Sequence, residues 1–271
     1  MSPCSPRDKR LPFLEFLNPA PSYIIASVQR SGTHLLCSIL RSTGLAGSPE
    51  EHFLSKPGET WEKRSGAASR ESFVEHVLRQ NTGANGVFGT VLMWSYLERM
   101  LEMLQEIPAY AELNGAQLLA AVFGKPKYIW MRRRNQVEQA ISWAVACQTG
   151  IWTQTGDEKL QPRATPRFDF KVIDEWCRRI AAHDEGWANF FRKNKIDPLV
   201  LFYEEVVASH QAAAERVLEF LELPFPSGLE IPPPAIEKQA NRISREWAET
   251  YLKLKRRKTG RVARIVRRIR I

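Results

Sequence analysis

The stretch SYIIASVQRSGTHLLCSILRSTG, Ser22 to Gly44, decides how the chain is read. It opens on an apolar run, Tyr23 to Val28, short and β-branched enough for a buried strand. A tight polar turn follows, Gln29-Arg30-Ser31-Gly32-Thr33. Leu35, Leu36, Ile39 and Leu40 then recur at helical spacing, and Gly44 is placed to end the helix. Strand, glycine turn and helix together present backbone N–H groups and a positive helix end to a phosphate. The turn is not a Walker A loop, which needs Gly, four residues, then Gly-Lys-Ser/Thr. Arg30 stands two residues before Gly32, where a guanidinium can meet a phosphate bidentately. The amides of Ser31 to His34 and the hydroxyls of Ser31 and Thr33 would take other oxygens. Read alone, the turn is equally an ordinary strand-to-helix connection.

Working outward, Gly44 to Gly58 reads as loop and carries Glu50, Glu51 and His52 close in sequence to the turn. A helix is expected over Ser69–Gln80, capped by Ser69, with Phe73 and Val77 inward. A strand follows at Gly86–Leu92, then helices at Trp94–Glu106 and Gly115–Phe123. Pro126–Met131 reads as a strand ending in Arg132-Arg133-Arg134, and Asn135–Thr149 as a helix closed by Gly150. A long loop, Trp152–Arg167, precedes the longest helical stretch, with Val172, Trp176, Ile180, Trp187 and Phe191 spaced for one face. Leu199–Tyr203 is another strand, Ser209 caps the next helix, and a last helix begins near Arg242. Strands alternating with helices predict an α/β fold: a P-loop-like parallel sheet flanked by helices, as a single domain over 21–252. Residues 1–20 read as a flexible arm and 253–271 as a basic amphipathic tail.

The formal charge of +9 belongs to that tail. Ten basic residues and no acid lie from Lys253 onward, and removing them leaves −1 for residues 1–252. After Gly260, Val262, Ile265, Val266 and Ile269 form an apolar stripe with arginines on the other face, which suits an anionic membrane surface better than nucleic acid. A disordered, solubilising extension accounts for the same composition. No apolar run approaches the ~20 residues of a membrane span, and the N-terminus has no signal-peptide core, so the expected location is cytoplasmic, with membrane association through the tail. Cys4, Cys37, Cys147 and Cys177 have no metal-ligand spacing, and Cys37 and Cys147 read as small core residues.

Arg30-Ser31-Gly32-Thr33 after a first strand resembles the 5′-phosphosulfate loop of sulfotransferases. Four further segments narrow the resemblance to the Stf0 family, in that family's order: Thr43–Phe53, Asn85–Trp94, Arg133–Trp152 and Lys238–Tyr251. The resemblance runs from about Ser22 to about Tyr251 and implies the sulfotransferase fold and a PAPS-dependent enzyme. Such an enzyme moves a sulfuryl group from 3′-phosphoadenosine 5′-phosphosulfate to a hydroxyl, with no metal. It assigns the 5′ side of the donor to Arg30, Ser31, Gly32, Thr33 and His34, although the family usually has Ser or Thr at His34. It assigns the 3′-phosphate to Arg133 or Arg134 with Ser142, nine and eight residues on. Read as a bare sequence, that cluster is a solvated arginine triplet before a helical serine.

The family's general base falls on Glu51 in Ala46-Gly47-Ser48-Pro49-Glu50-Glu51-His52-Phe53, with His52 as second candidate. Read alone, Glu50 and Glu51 are a solvated acidic pair on a loop. Glu50 and Trp152 are the candidate acceptor contacts, and Trp94 and Trp143 are more simply core residues. The family's best-known member has charged residues where this chain has Ser48 and Val91, so the acceptor is left open beyond a carbohydrate or glycolipid hydroxyl. A homodimer is compatible with the sequence, and nucleic acid is not an expected partner. The rival is a catalytically weak or inactive nucleotide-binding protein of the same fold, tethered by its tail to anionic membrane or nucleic acid. His34 and Val91 point toward the rival and Glu51 toward the enzyme.

Overall fold

The computed structural model describes residues 21–54, 60–153, 160–233 and 242–269, without the side chains at 62, 64, 242 and 259–269. The arm over 1–20 and the apolar stripe after Gly260 lie outside this description.

The expected strand, turn and helix form β1 (Ser22–Ser27) and α1 (Thr33–Ser42). After α2 (Trp61–Ser65), α3 (Arg70–Asn81) begins at the expected cap. There Ser69 Oγ accepts the Ser72 N–H at 3.2 Å, while Ser72 Oγ accepts the Ser69 N–H at 3.0 Å. β2 (Phe88–Met93) runs directly into α4 (Trp94–Gln105), and α5 (Gly115–Phe123) leads to β3 (Lys127–Arg132). Asn135 caps α6 (Gln136–Thr149), and Gly150, left-handed at φ 73°, closes it. α7 (Phe170–Asn194), β4 (Leu199–Phe202), α8 (Tyr203–Ala208), α9 (His210–Phe220) and α10 (Arg242–Ile269) complete the order.

The sheet is parallel throughout, in the order β2-β1-β3-β4. β1 has β2 on one side and β3 on the other, so the chain changes direction across the sheet at β1. In parallel sheets, ligands bind outside the carboxyl ends of the strands at such a switch. Ser27 is in register with Met93 of β2 and Met131 of β3, so three strand ends finish level where the polar turn departs. Burial on both faces explains the unbroken apolar runs: Ile24, Ile25 and Ala26 are fully buried, as is every residue of β2.

Contacts divide the chain into two compact units, one within 1–132 and 183–234, the other within 133–182 and 235–271. The first holds the sheet and the core that Leu36, Ile39, Leu40, Val91, Met131, Leu201 and Val217 share. In the second, α10 packs on α6, Trp143 stacks on Trp176 at 4.3 Å, and Phe170 stacks on Tyr251 at 5.2 Å. The tail expected as a separate element begins inside α10. Its Lys255 pairs with Asp174, and its Lys258 lies 3.9 Å over the Phe170 ring. No helix among the described residues is long and apolar enough to cross a membrane.

Three local expectations change. Val172 is exposed, because the buried face of α7 runs through Ile173, Ile180 and Trp187 at a spacing of seven. Cys147 is exposed: it sits in the last turn of α6, past the buried Ala140 and Ala144 that share its face. Tyr203 leaves the strand and opens α8, which the apolar reading of Leu199–Tyr203 does not show.

Candidate active site

The turn after β1 is held from beneath by side chains that meet at Ser27. Ser27 Oγ donates to the Met131 carbonyl at 2.6 Å, and the Ser27 carbonyl accepts the Trp187 Nε1–H at 2.8 Å. Because the Ser27 proton goes to Met131, the buried Ser31 hydroxyl donates to Ser27. Ser31 therefore turns its hydroxyl inward, against Ser27. Thr33 is buried as well, and the Gln29 side chain bonds to Ser95 on the first turn of α4.

Arg30 and Gly32 flank Ser31 in left-handed conformations, at φ 67° and 93°. For arginine this geometry costs about 1 kcal/mol, and Lys125, Lys195 and Glu222 adopt it elsewhere in the chain. Gly32 is the N-cap of α1 and has no side chain with which to cap it. The first-turn N–H groups of a helix begun this way suit an anion, so the residues present fit the phosphate end of a nucleotide.

The loop before α2 is stitched to the edge of the sheet by its backbone. The Glu50 carbonyl accepts the Val91 N–H at 2.8 Å and the Thr90 hydroxyl at 3.2 Å, and the Ala46 carbonyl accepts the Tyr23 hydroxyl at 2.8 Å. Glu51 is thereby set beside the turn, with Oε1 3.9 Å from Nε2 of His34. Its Oε2 accepts the Tyr96 hydroxyl at 3.2 Å. Burial pushes the Glu51 carboxyl above its usual pKa, the Tyr96 hydrogen bond opposes that rise, and the Glu50 charge adds to it. Burial first and the Arg30 charge second push the His34 imidazole below the ordinary histidine range. Near neutral pH it is a neutral neighbour of Glu51 and not a full ion-pair partner.

The other candidates divide. Glu50 is exposed and engaged by Arg41, Nη1 to Oε1 at 2.7 Å, while the same nitrogen donates to the Pro49 carbonyl at 3.1 Å. His52 is 5% exposed, its Nε2 lies 2.8 Å from the Ser48 carbonyl, and its ring packs near Phe88. Between the two candidate bases, Glu51 is the one with a side chain beside the turn. Val91 belongs to the core, and the half-buried Trp94 packs on Trp187. Within the second unit, Trp152 is exposed on its loop. Arg133 there is 8% exposed and bound to Glu138 at 2.7 Å, Arg134 is exposed, and Ser142 is half-buried in α6. Among the described residues no group of His, Cys, Asp or Glu could hold a metal ion.

Sequence reasoning missed Tyr96 and Ser95. Both lie on the first turn after β2, where the topology places ligands, and that position was the available signal.

A model of the Stf0 sulphotransferase family matches residues 22–254. The chain is 27% identical over 260 residues to a protein named trehalose 2-sulfotransferase from Mycobacterium tuberculosis (strain Erdman), covering 84% of this chain and 93% of the relative. It is also 27% identical over 261 residues to the protein of that name from Mycolicibacterium smegmatis, covering 85% and 94%.

Proposed function

This chain belongs to the Stf0 sulphotransferase family and is a sulfotransferase, and from that premise we propose that it moves sulfate from PAPS to a carbohydrate or glycolipid hydroxyl with Glu51 as general base. The observation that carries this reading is the position of Glu51. It is a carboxylate of raised pKa, fixed by the backbone of its loop, 3.9 Å from the second residue of the helix that opens the anion-suited turn. Family membership favours the enzyme over the non-catalytic alternative.

PAPS supplies the sulfuryl group and a bisphosphate that leaves with the bonding electron pair. The Arg30 guanidinium and the backbone N–H groups of Ser31 to His34 neutralise charge at the 5′ side. By the family resemblance, the 3′-phosphate falls to Arg133, Arg134 and Ser142. Glu51 takes the acceptor proton as the acceptor oxygen bonds to sulfur and the sulfur–phosphate-oxygen bond breaks. The relatives' names make trehalose the first sugar to try. Glu50, held by Arg41, and the exposed Trp152 are the proposed acceptor contacts.

Transfer of labelled sulfate from PAPS to trehalose, other sugars and glycolipids tests the reading. The expected result is transfer to at least one of them, lost in Glu51→Gln while the bisphosphate still binds, a transition-state defect. A Glu51→Gln enzyme at wild-type rate would remove Glu51 from the reaction.

A further inference from the structure

The Tyr96 hydroxyl lies between two acceptors, 3.2 Å from Glu51 Oε2 and 3.1 Å from the Val91 carbonyl, and it has one proton to give. Its ring packs against the core beneath the turn, and Val91 is the residue whose N–H pins the Glu50 carbonyl. One strand residue therefore fixes the backbone of the Glu51 loop through its N–H and anchors the Tyr96 hydroxyl through its C=O.

We infer that Tyr96 is the positioning residue of the base: its hydroxyl holds Oε2 of ionised Glu51, leaves Oε1 on the His34 side to receive the acceptor proton, and turns to the Val91 carbonyl as the charge is lost. This rests on the reading of Glu51 as base. The two acceptors explain how one hydroxyl serves both states. An ionised carboxylate draws the proton strongly, and a neutral acid draws it weakly, whereupon the carbonyl keeps it satisfied. Tyr96 is itself desolvated, which holds its hydroxyl protonated throughout, so it donates and does not act as the base.

The groups facing Glu51 on other elements leave Tyr96 as its strongest stabilising contact. His34 on α1 is held neutral, and the Cys37 thiol on the same helix is pushed up to about 12 and is also neutral. Glu50 repels, with its charge engaged by Arg41, and Arg30 acts on His34. Removing the Tyr96 hydroxyl thus removes the contact that holds the Glu51 pKa down against burial.

The test is the acid limb of the kcat/KM profile, which reports the base in the free enzyme. It is paired with direct titration of the Glu51 carboxyl by carbon-13 NMR, assigned with Glu51→Gln. Tyr96→Phe is expected to move both to higher pH by about half to one unit, the effect of one hydrogen bond of ordinary net strength. Fluorotyrosine placed at position 96, isosteric and a stronger donor, is expected to move both to lower pH, and it covers the case in which the phenylalanine variant does not fold. A Glu51→Gln enzyme at wild-type rate overturns the base reading and with it the role of Tyr96 in the reaction. If Glu51→Gln is inactive, an acid limb and a Glu51 carboxyl titration that neither change at Tyr96 moves in the enzyme retaining Glu51 overturn this inference alone.

Discussion

The Tyr203 ring stands where a β-carbon on Gly32 would have to be: a Cβ built there would overlap Tyr203 Cδ2 and lie 3.1 Å from Cε2. Gly32 is therefore required twice, once by its left-handed φ of 93° and once by the ring of the residue that opens α8. Gly32→Ala should destabilise the fold by about 1–2 kcal/mol from backbone strain alone, plus the displacement of Tyr203. In a double-mutant cycle by urea denaturation, Gly32→Ala should cost less when Tyr203 is already Ala. Additive costs would mean that the ring yields freely and only the dihedral matters.

Binding of the donor product should separate the two ends of the nucleotide. With two basic clusters assigned to two phosphates, the 3′,5′-bisphosphate should raise the melting temperature well above the rise that AMP gives, by mass action on the folded state. Arg134→Ala is the clean variant, because Arg134 is exposed while Arg133 is buried on Glu138 and its loss would also cost stability. Arg134→Ala should bring the bisphosphate shift down toward that of AMP. Equal shifts for the two nucleotides in the wild-type protein would sink the assignment of the 3′-phosphate.

Trp187 is fully buried and reaches the end of β1 with its one polar atom, the indole N–H on the Ser27 carbonyl at 2.8 Å. Phe cannot make that bond and leaves part of the ring volume empty beside Trp94 and Phe191. Trp187→Phe should therefore cost about 2–3 kcal/mol in chemical denaturation, roughly one for the orphaned carbonyl and the rest for lost packing. It should also weaken nucleotide binding, since Ser27 carries the Ser31 side of the turn. A stable variant with unchanged binding would mean that the turn is fixed by α1 without this support.

The legible part of this molecule is the part written locally. β1, the turn and α1 are contiguous, so periodicity and one glycine sufficed, and Ser69, Asn135 and Ser209 cap their helices because capping is a short-range bond. Glu51 was proposed from the order of residues around it, which no local rule supplies. The fate of its neighbour was not: His52 differs from Glu51 in burial beside Phe88, a consequence of the loop pairing with β2 some forty residues later. Tyr96 was hidden for the same reason, because its partner Glu51 is 45 positions away. The inward face of α7 was misjudged by one residue at Val172, where a seven-residue spacing of buried groups resembles its neighbours in a sequence that carries apolar residues on several faces.

The start of the basic tail has a role within the second unit, and pH should reveal it. The Asp174 carboxyl is held below the usual carboxylate range, first by the hydrogen bond from Lys255 and further by the Tyr251 hydroxyl at 2.8 Å, while burial pushes the other way. A carboxyl depressed in the folded state stabilises fully above its unfolded pKa, near 3.9, where both states are ionised. As the pH falls below that value the unfolded chain takes up the proton first, and the contribution is lost as the pH passes through the folded value. The melting temperature of the wild-type protein should therefore exceed that of Asp174→Asn at pH 6, and the gap should narrow as the pH falls below about 4. Lys255→Ala should narrow the gap already at pH 6, because the first cause of the depression is gone. A gap that stays constant from pH 6 to 3 would show that Asp174 contributes through packing, and that Lys255 belongs with the solvated charges of the tail.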